Sequence, residues 1–155
     1  MKKVLVFFLI LFVAIQFYRP YENSSVSVEE QDFLVVENVP APIARIFKSS
    51  CYDCHSNQTD YAWYDKIAPL SWIVDKNIQR GKFSLNFSKW GAFEPWQRRV
   101  FFQGGMMYDI NINKMPPKNY LLLHPNAKIS SIERKQMETW IASVDMKAKK
   151  IAYKE

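Results

Sequence analysis

The chain has 155 residues, 48% of them hydrophobic, and a formal net charge of +6. Phe 11, Tyr 8 and Trp 5 exclude a disordered chain, 4 Gly exclude a collagen-like fibre, and two Cys exclude a disulfide-rich scaffold. Residues 1–50 hold five Lys/Arg against five Asp/Glu, so the basic surplus lies beyond them, which by itself does not choose between nucleic acid, membrane and acidic protein.

Residues 1–20 read as a leader. Met1-Lys2-Lys3 precede an apolar run from Val4 to Ile15, extended by Gln16, Phe17 and Tyr18 and stopped by Arg19-Pro20. A short positive stretch before an apolar run is an export pattern. A cleaved signal peptide wants small residues at its cleavage site, and Ala14-Ile15-Gln16-Phe17-Tyr18 offers none. An uncleaved anchor wants about 17–25 residues, and Val4 to Tyr18 is somewhat short, with Tyr18 and Arg19 suited to the interface. The missing cleavage site favours the anchor. Lys2 and Lys3 then place the rest outside the cytoplasm, on the periplasmic side of the inner membrane; cleavage would leave it soluble there.

Residues 21–38 are polar and acidic (Glu22, Glu29, Glu30, Asp32, Glu37) and read as a tether. A domain over 39–146 and a basic tail over 147–155 follow. Pro42 suits a first helical turn, and Ile43, Ile46 and Phe47 form one stripe ending at Cys51. A second helix fits Pro69 to Arg80, with Leu70, Ile73, Val74 and Ile78 on one face and Gly81 as its stop. A third starts at Glu94-Pro95 and carries Trp96, Val100 and Met107, with Gly104-Gly105 leaving its continuation open. The last is capped by Ser130-x-x-Glu133 and carries Met137, Trp140, Ile141 and Val144 at helical spacing. Only Phe83 to Phe87 alternates like a strand. The predicted class is all-α.

Chemistry concentrates in Cys51-Tyr52-Asp53-Cys54-His55. C-x-x-C-H is the covalent attachment signal for c-type haem. Thiols three residues apart lie on one side of a turn and can add to the two vinyl groups of one porphyrin, and His55 then serves as proximal iron ligand. Attachment requires export, which the leader supplies. Three other readings compete. A Cys51–Cys54 disulfide leaves His55 unexplained, and a thioredoxin-like pair expects a βαβ setting. A zinc site would need four ligands, which Cys51, Cys54, His55 and His124 could supply.

Iron needs a second axial ligand or an open position. Met115, in Lys114-Met115-Pro116-Pro117, stands in a segment that two prolines keep from being helical, which can aim a thioether at a metal. His124 is the alternative distal ligand, a haem-propionate contact or a plain surface histidine. Met106 and Met107 read as core.

A helix, then C-x-x-C-H, then Met-Pro before a capped last helix resembles monohaem cytochrome c. More narrowly, Cys51 to Asn57, Trp63-Tyr64, Ile67-Ala68-Pro69, Ser71-Trp72, Gly81, Leu85-Asn86-Phe87-Ser88, Trp90, Met115-Pro116-Pro117, Tyr120, His124-Pro125 and Trp140-Ile141 resemble the small bacterial haem-binding domain family, over roughly Val39 to Val144. The resemblance implies a small cytochrome c-like helical domain around one covalent haem c. One departure is Val74-Asp75-Lys76-Asn77, where many relatives carry a histidine. Tyr61, Trp63, Tyr64, Trp72, Phe87 and Trp90 follow the motif and fit a haem pocket or an ordinary core. Arg80, Lys82, Asn86 and Ser88 are candidates for the propionates, and Arg98-Arg99 adds basic surface.

The resulting expectation is an anchored cytochrome domain passing single electrons, a carrier rather than a catalyst. Its expected partners are the membrane, through the anchor, and redox proteins, with no nucleic acid. The alternatives are a haem enzyme or gas sensor with an open distal site, and a non-haem metal or structural domain.

Overall fold

The computed structural model describes the backbone of residues 1–152, and the side chains of all of these except Gln103 and residues 145–152. Every regular element among the described residues is helical, and the only β feature is an isolated bridge between Ser24 and Gln58. The class is all-α. The side chains of the basic tail lie outside the described residues, while its backbone as far as Ala152 continues the last helix.

Helix α1 (Lys2–Ile15) has 14 residues and buries none of them. No helix among the described residues is long and apolar enough to cross a membrane. The helix does not hang free. The Gln16 side chain donates to the Ala68 carbonyl at 3.1 Å and accepts from the Ala68 N–H at 3.0 Å.

The stretch expected to be a tether packs on the domain instead. Asp32 caps α2 (Phe33–Val36) by accepting from the Leu34 N–H at 2.9 Å. Phe33 is fully buried and sits among five aromatic rings: Phe47 and Phe87 at 4.8 Å, Trp90 at 5.0 Å, and Phe102 and Trp140 at 6.0 Å. The acidic residues of the segment hid this, because one ring contributes as much buried area as several of its neighbours together. Glu37, one of them, accepts from the Trp90 indole N–H at 2.6 Å and lies 3.9 Å from Arg98. Arg98 also donates to the Phe93 and Gly91 carbonyls, so this arginine braces the core and is not loose basic surface.

Helix α3 (Ala41–Ser50) begins with Pro42 in its first turn and buries Ile43, Ile46 and Phe47, the predicted stripe. Its C-cap is Cys51, which starts the one-turn α4 (Tyr52–His55). Helix α5 (Leu70–Ser84) runs straight through Gly81, so that glycine is not a stop. The alternation at Phe83 to Phe87 is the end of α5 and an extended step into a 3-10 turn over Phe87–Ala92, not a strand. After Glu94, α6 (Pro95–Val100) passes through a π-helical stretch, Phe101–Met106, into α7 (Met107–Asn111). The helix therefore continues past Gly104-Gly105 by widening one turn. Of the three apolar residues expected together on this helix, Met107 is buried while Trp96 and Val100 are exposed.

The segment 112–117 is non-helical up to α8 (Lys118–Leu123), in line with the two prolines. The last helix, α9 (Ser131–Ala152), carries the predicted cap: the Glu133 N–H donates to Ser130 Oγ at 3.2 Å and the Ser130 N–H to Glu133 Oε2 at 2.8 Å. This pairing holds the Glu133 carboxyl below its ordinary range. Met137 and Ile141 close the core from this side.

Candidate functional site

The C-x-x-C-H motif occupies a single turn wedged between α3 and α5. The N–H groups of Cys54 and His55 both donate to the Cys51 carbonyl, at 3.3 and 2.9 Å. That turn is what puts both sulfurs and the imidazole on one short element. Both thiols are free and partly exposed. Burial, with the neighbouring Asp53 carboxylate among the lesser causes, pushes each thiol up to about 12, so at neutral pH they remain protonated.

Two neighbours fix the turn from outside the motif. Gly81 of α5 passes so close that a Cβ there would collide with the Cys54 carbonyl oxygen. Only a residue without a side chain lets α5 cross at this distance, which is why the glycine stands mid-helix despite its helix cost. Leu85, just past the end of α5, offers its carbonyl to His55 Nδ1 at 2.9 Å. A carbonyl oxygen can only accept, so Nδ1 carries the proton and a neutral ring keeps its lone pair on Nε2. Burial lowers the affinity of His55 for a second proton, against the opposing pull of the Leu85 and Gly81 carbonyls and of Asp109. The ring is thus held neutral, in one tautomer, with Nε2 as its donor atom. This is the usual arrangement of a histidine that ligates a metal.

Both intervening residues of C-x-x-C-H are clamps. Tyr52 stacks on Phe87 at 5.2 Å and 13°, and its hydroxyl donates to Asp32 at 2.8 Å. Asp53 accepts from the Asp60 N–H at 3.2 Å and from the Tyr120 hydroxyl at 2.5 Å. Behind the turn, the Asn86 amide donates to Asn57 Oδ1 at 2.9 Å and the Asn57 N–H to Ser88 Oγ at 3.0 Å, all three residues being buried. Asn86 and Ser88, candidates for propionates in the sequence, are therefore the internal frame of the loop. Lys82 donates to the Asn23 side-chain Oδ1 at 2.5 Å, and Arg80 is exposed.

The two distal candidates sit in different surroundings. Met115 is half-buried and packs against the core cluster, and its N–H donates to the Asp109 carbonyl at 3.1 Å. Asp109 also pairs with Lys114 at 3.1 Å, and its charge acts on His55. His124 is engaged elsewhere. Its ring stacks on Tyr120 at 4.1 Å and 9°, Nδ1 donates to the Tyr120 carbonyl at 3.3 Å, and Nε2 lies 3.6 Å from the buried Asp65 carboxylate. Burial raises the Asp65 carboxyl above its ordinary range, partly offset by its Ala62 N–H partner and by His124. Among the described residues no three His, Cys, Asp or Glu side chains gather as a metal cage, which leaves the four-ligand zinc reading without its geometry.

The six aromatics after the motif do not form one wall. Phe87 and Trp90 are core, Tyr64 donates its hydroxyl to the Leu123 carbonyl at 2.9 Å, and Trp63 stands 75% exposed. The sequence reading missed Leu85 as the histidine's partner and Gly81 as the crossing point. A backbone carbonyl leaves no sequence signal, but an isolated glycine inside a helical pattern is one.

These groups suit a haem: two unpaired thiols beside a neutral imidazole with Nε2 as its donor atom, all on one turn. A family model described as a haem-binding domain matches residues 10–143. The chain belongs to the haem-binding domain family. The match takes in residues 21–38, in keeping with Phe33 at the centre of the core, and it makes haem the cofactor. No curated protein and no solved structure matches this haem-binding domain.

Proposed function

We propose that this haem-binding domain holds one haem c covalently through Cys51 and Cys54, with His55 Nε2 on the iron, and that it carries single electrons. The carrying observation is the Leu85 carbonyl on His55 Nδ1, beside two free thiols on the same turn. When bound, haem supplies a one-electron couple whose potential is set by its axial ligands. Everything else falls to the chain. Gly81 and Leu85 hold the imidazole, Tyr52 and Asp53 fix the turn, and the core behind Phe87 excludes water. The oxidised and reduced forms exchange one electron with redox partner proteins, and no nucleic acid is involved.

Met115 is the sixth ligand in this reading. It lies half-buried in a non-helical segment, against the same core cluster on which Cys51 and Tyr52 of the motif pack, whereas both nitrogens of His124 are engaged. The apolar α1, none of whose residues is buried, supports membrane attachment, with Lys2 and Lys3 on the cytoplasmic side and the domain facing the periplasm. Carbon monoxide separates carrier from open-site enzyme. The ferrous wild type should bind it poorly, Met115→Ala readily, and His124→Ala no better than wild type. Ready binding by the wild type would favour an open-site enzyme or sensor, and opening by His124→Ala alone would mean bis-histidine ligation.

A further inference from the structure

The leader and the domain are fastened together, and this determines which face of the domain meets the lipid. Resting on the membrane attachment proposed above, we infer that the domain lies directly on the bilayer surface, with the apolar rim around the root of α1, namely Phe17, Tyr18, Trp72, Trp63, Leu122 and Leu123, in the lipid headgroup region.

The first argument is the absence of slack. Gln16 grips both backbone groups of Ala68, the Trp72 indole N–H donates to the Tyr18 carbonyl at 2.9 Å, and the Tyr18 and Trp72 rings meet edge-on at 5.9 Å. A few residues further on, the Asn23 N–H donates to the Tyr61 hydroxyl at 2.9 Å and the Asn23 amide to the Ser56 carbonyl at 2.9 Å. The chain is therefore bound to the domain from Gln16 onward, leaving no free linker to hold it off the membrane.

The second argument is length. Fourteen residues of α-helix rise about 21 Å, against about 30 Å of hydrocarbon. A short apolar helix draws its flanking groups toward the bilayer. Here those flanks are the domain itself.

The third argument is what the rim presents. Phe17 is 88% exposed, Tyr18 73% and Leu122 82%, in addition to Trp63. Trp63 meets the Tyr64 ring at 5.6 Å and the Tyr64 hydroxyl donates to the main-chain carbonyl of Leu123, which brings the end of α8 beside the 3-10 turn that precedes Ala68. Tyrosine and tryptophan with a polar tip and an apolar body are the residues favoured at the headgroup level.

The test uses the full-length, haem-loaded protein in vesicles of phosphatidylethanolamine and phosphatidylglycerol. The vesicles include a phospholipid bearing a photoactivatable diazirine near its headgroup. After irradiation, labelled peptides are located by mass spectrometry. Label on residues 1–18 and also on the peptides carrying Trp63 and Leu122-Leu123 is the expected result. A flexible Gly/Ser insertion of roughly ten residues between Ile15 and Gln16, which gives the helix slack while leaving every contact of Gln16, Tyr18 and Asn23 in place, should keep the label on the helix and lose most of it from both domain peptides. Label confined to residues 1–18 would overturn the seating while leaving membrane attachment intact. A protein that neither sediments with vesicles nor takes label would overturn the attachment and the seating together.

Discussion

A methyl group at Gly81 would run into the Cys54 carbonyl oxygen, and backbone at that point cannot swing aside as a long side chain could. Gly81→Ala gains about 1 kcal/mol of intrinsic helix propensity. It should still lose stability by about 1–3 kcal/mol, because overpacking a close crossing costs more. Chemical denaturation measures the loss, and a Gly81→Ala variant more stable than the wild type would contradict the crossing. His55 gives a second residue-level prediction. Its folded-state pKa lies below the unfolded value, so the unfolded chain binds the extra proton first. In the haem-free chain its contribution is intact above about pH 6.5 and is lost as pH falls from there toward the lowered value. His55→Gln, which can still donate to Leu85, should flatten that part of the stability profile. An unchanged slope in urea midpoints between pH 7 and 5 would contradict it.

At the scale of elements, α2 is four residues long and has no stability of its own. Its role is to deliver Phe33 into the ring cluster. Phe33→Ala should therefore cost about 3–5 kcal/mol, the usual loss for a buried aromatic, although it lies in a stretch that reads as linker. A change under about 1 kcal/mol, the size of an ordinary surface effect, would mean the segment is detachable. Elements with local signals were legible in the sequence: Pro42 opening α3, the Ser130–Glu133 cap of α9, and the C-x-x-C-H turn. Those fixed by distant contacts were not. Gly81 reads as a helix stop by its own chemistry, and only the α4 backbone beneath it explains why the helix goes on. Phe33 opens a short apolar run, Phe33-Leu34-Val35-Val36, in a stretch with five acidic residues, and its burial depends on rings contributed from as far away as Trp140. The histidine partner, a backbone carbonyl after α5, has no side-chain identity to read.

For the whole molecule, the haem-binding domain is a helical shell whose core and C-x-x-C-H turn share residues. Phe87 packs on Phe33 within the core and on Tyr52 of the motif, so damage to either is felt by both. Helix α1 joins the same body through Gln16, whose side chain bonds to both backbone groups of Ala68. The central claim is that Cys51 and Cys54 hold the haem covalently, and extraction of the exported, matured protein with acidified organic solvent tests it most directly. The account predicts that the haem stays with the polypeptide, gives one haem per chain in the pyridine haemochrome assay, and becomes extractable when Cys51 and Cys54 are both changed to Ala. Haem that leaves the unaltered chain into the solvent would contradict it.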